Sequence, residues 1–151
     1  MTDAQSPIRA AVPADLDAIL ALYADFNRRE PPPEETLARA SWARLLATPG
    51  ITVLVHALPD GLLTATCTLL VVPNLTRGSR PWAIIENVIT LAEHRGRGHG
   101  KAVVRAAIAA AGDAGCYKVS LTTGGAESTQ RFYESAGLTR GGKTYFETRW
   151  T

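Results

Sequence analysis

The chain has 151 residues, 46% hydrophobic and 20% charged, with a formal net charge of +2. That length sets a single domain, residues 1–151, able to bury roughly two-thirds of its unfolded surface. So small a net charge gives no ground for a nucleic-acid partner, and no apolar run approaches the length of a membrane span.

The two cysteines have no metal-ligand neighbours, so they read as reduced thiols and no metal site is expected. The opening MTDAQSP has no basic cluster leading into an apolar core, so no signal peptide is expected and the expected location is cytoplasmic.

Residues 8–11 read as a short first strand. Pro13, Ala14 and Asp15 open a helix whose apolar stripe is Leu16, Ile19, Leu20, Tyr23 and Phe26. Pro31, Pro32 and Pro33 cannot continue it. A second helix follows over 35–46, with Leu37, Trp42, Leu45 and Leu46 as candidate buried positions. Residues 51–58 and 62–72 are apolar strands joined by Pro59-Asp60-Gly61, a hairpin signal. Cys67, inside the second strand, reads as a small apolar packer. The turn-rich loop 73–81 carries Arg77 and Arg80. They are either solvated or meet an anionic group on an acceptor or a partner subunit.

The stretch 84–112 organises the chain. It reads as an apolar strand, an abrupt glycine-rich turn and a helix. The strand is broken by one polar pair, Glu86-Asn87, and a charge there is costly unless it is paired or faces a cavity. The turn alternates Gly96, Gly98 and Gly100 with Arg95, Arg97 and His99. Glycines allow a sharp bend and a close-lying ligand, and the free N–H groups opening the next helix point into the turn, where phosphate is commonly held. The Walker loop is excluded because its first glycine and its Ser/Thr fall on Arg95 and Ala102. The dinucleotide fingerprint is excluded because its third glycine falls on Lys101. Val103, Val104, Ala107, Ile108 and Ala111 share the apolar face of the helix. Residues 118–122 then form a short strand, 128–136 a helix, and 144–150 a final strand.

The run Arg95-x-x-Gly98-x-Gly100 between strand and helix, followed by Arg131-Phe132-Tyr133-Glu134-Ser135-Ala136-Gly137-Leu138, resembles the GCN5-related N-acetyltransferase (GNAT) family. Its members move an acetyl group from acetyl-CoA to an amine. Gly115-Cys116-Tyr117-Lys118 ahead of a strand and Phe-Tyr-x-x-x-Gly looks closest to the small single-domain glucosamine-6-phosphate N-acetyltransferase type. The resemblance implies a single-domain mixed α/β fold, β-α-α-β-β-β-α-β-α-β, with a splayed sheet and the cofactor between two diverging strands.

It also implies roles. Glu86 sits where the base often stands, acting directly or through a water; the alternative is a structural Glu paired with an arginine. Asn87 stands where some relatives place Asp and contacts the acceptor. Val88, Ile89 and Thr90 pair with the pantetheine arm like an added strand, and a bulge near Asn87 frees an N–H for the thioester oxygen. Arg95, Gly96, Arg97, Gly98, His99 and Gly100 wrap the pyrophosphate, with Lys101 near the ribose phosphate. A side chain placed on Gly98 or Gly100 is expected to remove acetyl-CoA binding and leave the fold intact. Ser128 and Phe132 lie beside the cofactor, Ser128 or Thr123 standing in for the Asn that relatives carry where this chain has Ala126. Tyr133 donates a proton to the departing thiolate, or else only packs. Two functions stay open: an N-acetyltransferase acting on a small amine such as an amino sugar, or a silent acetyl-CoA-binding sensor or scaffold. A homodimer is expected, joined near the last strand through Phe146 and Trp150.

Overall fold

The computed structural model describes residues 6–150; the opening MTDAQ lies outside the described residues. The elements are β1 (Ile8–Ala10), α1 (Leu16–Phe26), α2 (Glu35–Ala47), β2 (Ile51–Ala57), β3 (Leu63–Val72), β4 (Trp82–Thr90), α3 (His99–Asp113), β5 (Val119–Ser120) and α4 (Glu127–Ala136). Single 3-10 turns, Pro13–Asp15 and Ala92–His94, precede α1 and follow β4. The strands form one sheet in sequence order, antiparallel from β1 to β4 and parallel between β4 and β5.

Period-two alternation feeds both faces of this sheet. One face carries Leu54, Cys67, Leu69 and Ile85 against Val103, Val104 and Ala107 of α3. The other carries Val53, Val55, Leu63 and Ile89 against Leu16, Ile19 and Leu22 of α1 and Trp42 of α2. Burial on both faces explains why β3 reads as a continuous apolar and threonine run. Two of its buried hydroxyls find partners: Thr66 donates to the Leu54 carbonyl at 2.9 Å, and Thr64 meets His56 Nδ1 at 2.8 Å. Asp15 fixes the entry to α1, taking two bonds from Arg9 and one from the Val12 N–H. Trp42 is the expected core anchor, its indole N–H donating to the Pro13 carbonyl at 3.1 Å.

Some expected positions move. Leu22, not Phe26, completes the buried stripe of α1; Phe26, the last helical residue, is 64% exposed. Leu37 is 61% exposed, because α2 buries Ala38 and Trp42, one turn apart on its inner face. Loop 73–81 is more ordered than a plain connection: Arg77, Gly78 and Ser79 take positive φ in succession, held by the Asn74 amide, which donates to Thr76 and to the Arg80 carbonyl.

Residues 144–150 are not part of the sheet. A strand exists only through its ladder, and this segment has no partner strand among the described residues. It leaves Tyr145, Phe146 and Trp150 exposed, the last two at 87% and 88%. Among the described residues no helix is long and apolar enough to cross a membrane.

Candidate active site

The site begins at a defect in β4. Thr66 faces Ile89 and Thr68 faces Glu86, so Cys67 alone opposes Asn87 and Val88. Two residues against one is a β-bulge, which turns the strand and leaves backbone groups out of the ladder. Asn87 takes the bend at φ 52°, a left-handed conformation that Asn tolerates far better than most side chains. That accounts for an amide here rather than a β-branched residue. On the opposite edge β4 pairs with β5 only at Ala83–Val119 and Ile84–Ser120. Beyond Ile84 the two strands part, and from Glu86 to Thr90 that edge of β4 has no neighbouring strand among the described residues.

Glu86 is exposed beside the bulge and makes no ion pair or side-chain hydrogen bond among the described residues. The arginine partner expected of a purely structural Glu is not there. Tyr133 stands on α4, half-buried, with Phe132 edge-on to its ring at 5.0 Å. Burial, then the nearness of Cys67 and Glu86, raises its phenol above the ordinary value, so it is held protonated. Cys67 is fully buried and its thiol is pushed up to about 12, too high for a nucleophile near neutrality. Tyr23 of α1 belongs to the opposite face of the sheet, and its hydroxyl lies within reach of Thr68 and Asn87. Burial raises its phenol too. The apolar stripe of α1 was its only sequence signal, and that signal reads as packing.

Downstream of β4, Gly96 and Gly98 adopt φ 75° and 86° with open space where a Cβ would point. α3 starts at His99, inside the glycine turn, with left-handed Gly98 as its N-cap. The first helical bond is Ala102 N–H to the Gly98 carbonyl, at 2.9 Å. The amides of His99, Gly100 and Lys101 therefore have no intrahelical acceptor, and the positive end of the helix faces the turn. Gly100 differs from its two neighbours. A Cβ there would collide with the Thr90 hydroxyl and touch the Phe132 ring. Its glycine is needed for helix-to-strand packing, which corrects the expectation that its replacement spares the fold.

The His99 ring turns away from the glycines. It stacks on His56 of β2, centroids 4.0 Å apart and planes 12° apart, with His94 at 5.6 Å on the same stack. All three histidines of the chain meet here, which nothing in their spacing foretells. Burial first, then neighbouring charge, lowers the pKa of His56 and of His99. The rings lie face to face instead of converging, and among the described residues no group of three His, Cys, Asp or Glu side chains could hold a metal.

The remaining candidates lie apart. Arg80 donates to the carbonyls of Gly115 and Cys116 at 3.2 and 3.0 Å, and Arg77 sits over the Tyr117 ring at 5.9 Å. Both precede Trp82, about 16 Å along β4 from Asn87 at the usual strand rise. Ser128 is exposed in the first turn of α4, and the Thr123 hydroxyl is engaged locally by the Gly125 N–H at 3.0 Å.

A family profile described as "Acetyltransferase (GNAT) family" matches residues 16–138. The chain is 32% identical over 132 residues to the glucosamine 6-phosphate N-acetyltransferase of Trypanosoma brucei brucei, covering 87% of each. A solved structure from Agrobacterium tumefaciens str. C58, named only provisionally as an acetyltransferase, is 49% identical. It superposes with a TM-score of 0.90 over 95% of this chain and 99% of that one. A Trypanosoma brucei acetyltransferase structure follows at 29% identity and a TM-score of 0.80, over 94% of this chain and 98% of its own.

Proposed function

The chain belongs to the GNAT family of acetyltransferases and is an N-acetyltransferase, and from that footing we propose that it acetylates a primary amine of a small molecule, an amino sugar being the leading candidate, with Glu86 as base and Tyr133 as acid. Members of the family take acetyl-CoA as donor. The observation that carries the reading is the bulge at Asn87, open to the gap between β4 and β5 and flanked by an unpaired carboxylate. The amino-sugar choice draws on the name of the 32% identical relative.

A free alkyl amine has a pKa near 10.4 and arrives mostly protonated. Glu86, exposed beside the bulge, takes the proton directly or through one water. The unladdered backbone at Asn87 and Val88 offers an N–H to the thioester oxygen. The free edge at Val88, Ile89 and Thr90 accepts the pantetheine arm as an added strand. The backbone of Arg95, Gly96, Arg97, Gly98, His99 and Gly100 wraps the pyrophosphate, Lys101 lies near the ribose phosphate, and Ser128 and Phe132 line the cofactor's other side. Tyr133, kept neutral by burial, protonates the departing thiolate. Arg77 and Arg80 are committed to the β5 corner of their own chain. They can serve an acceptor only across a dimer, which we propose forms through residues 144–150.

The test is release of CoA from acetyl-CoA across a panel of primary amines that includes phosphorylated and plain amino sugars. Release with at least one amine is expected. Tight acetyl-CoA binding without release for any amine would make the chain a silent acetyl-CoA-binding module.

A further inference from the structure

The face of the sheet that carries α1 holds polar groups for which the chemistry above has no use. α1 packs across β3 and β4, and Tyr23 on its inner stripe joins the core cluster of that face. The Tyr23 hydroxyl lies within reach of the Thr68 hydroxyl on β3 and of the Asn87 side chain at the bulge. Thr68 stands directly opposite Glu86 in the ladder. Its side-chain oxygen is buried and has no hydrogen-bond partner among the described residues. Thr64 and Thr66, buried on the same strand, are both bonded, so Thr68 is the exception. An orphaned buried hydroxyl loses its water and gains no bond in return. A valine has nearly the same shape and would carry no such cost.

Asn87 needs support of its own. Its bend at φ 52° is held at a cost by any residue with a side chain, and β3 steadies the bulge from one side only. Tyr23 reaches it from a separate element. Its phenol, kept neutral by burial, can take a proton from one neighbour and give its own to another. Hydrogen bonds at a reacting site are commonly loose without substrate and tighten with it. We propose that Tyr23 and Thr68 are positioning residues for acetyl transfer: Thr68 donates to Tyr23, Tyr23 donates to the side-chain carbonyl of Asn87, and this chain of bonds holds the bend that aims the free backbone N–H at the thioester oxygen. Neither hydroxyl touches a reacting atom. The proposal rests on the reading of the bulge as the place of transfer.

Steady-state CoA release from acetyl-CoA tests it on the full chain, with whichever primary amine of the panel reacts fastest. Tyr23→Phe and Thr68→Val each keep the shape of the side chain and remove its hydroxyl. Both should lower kcat roughly tenfold and leave KM for acetyl-CoA unchanged. Thr68→Val should melt at or above the wild type, since it deletes an orphaned group; a hydroxyl needed only for folding would give the reverse. Asn87→Gly keeps the bend, because glycine takes positive φ freely, and removes the side chain on which the bonds end. Adding Tyr23→Phe to Asn87→Gly should then lower kcat no further. Wild-type kcat in both hydroxyl variants, a further fall in the double variant, or a loss of kcat in Thr68→Val matched by a lower melting temperature overturns the proposal while the enzyme reading stands. If the wild-type chain releases CoA with no amine, the enzyme reading fails and this inference fails with it.

Discussion

At the scale of single residues, the proposed chemistry asks for a proton donor, and the surroundings of Tyr133 keep its phenol protonated. Tyr133 is a neutral phenol because burial disfavours its anion. Tyr133→Phe keeps the ring and its edge-on contact with Phe132 and removes only the proton. Turnover should fall by about 10²–10⁴, the usual range for general acid help, with acetyl-CoA affinity nearly unchanged. A variant with wild-type turnover would leave the thiolate to be protonated by water and make Tyr133 a packing residue. Glu86 and Asn87 were legible as the one polar break in an apolar strand. The left-handed angle at Asn87 was not, because a bulge depends on the opposing strand, here Cys67, and not on the residue itself.

At the scale of elements, the three glycines of the turn are not equivalent. Gly98 caps α3 at φ 86° with open space beside it, whereas Gly100 is pressed against Thr90 and Phe132. Gly98→Val should cost acetyl-CoA affinity in a chain that still folds, with a backbone penalty of about 1–2 kcal/mol. Gly100→Ala should lower the melting temperature first, since Thr90 or α4 must shift. Calorimetry and thermal melts on both variants separate the two effects. Equal melting of Gly100→Ala and wild type would contradict the packing. The turn and the helix were legible from glycine spacing and 3.6 periodicity. The end of α1 was less so: Phe26 continues the stripe by spacing, but the sheet no longer lies beneath it.

At the scale of the whole molecule, the histidine stack links stability to pH. The pKa values of His56 and His99 are lowered in the fold, so the folded chain binds fewer protons than the unfolded one. Stability then rises with pH through this window and is lost as pH falls below the unfolded histidine value of about 6.5. The chain should melt lower at about pH 5.5 than at about pH 7.5, and His56→Gln should narrow that gap. Identical melts of the wild type at both values would refute the coupling. His56, His94 and His99 could not be grouped from the sequence, since only the sheet register brings β2 beside the start of α3.

The second prediction at this scale concerns residues 144–150. Their backbone has no ladder among the described residues, and Phe146 and Trp150 face solvent, which is an invitation to a second copy. Light scattering should give twice the chain mass of 16.1 kDa. A single-chain mass across micromolar concentrations in an active sample would exclude the dimer. The sequence indicated a strand here from its composition, but composition does not say which chain supplies the neighbour.

The parting of β4 from β5 reaches beyond catalysis. After Ile84 the sheet is unfinished on one side, and unfinished edges elsewhere draw foreign strands into aggregates. If the donor's arm completes that edge, the substrate doubles as a removable piece of the protein. Donor abundance then sets how long each copy survives as well as how fast it works, because any ligand that binds only the folded form stabilises it by mass action. A cell starved of acetyl-CoA would thin out this enzyme through its own unfolding.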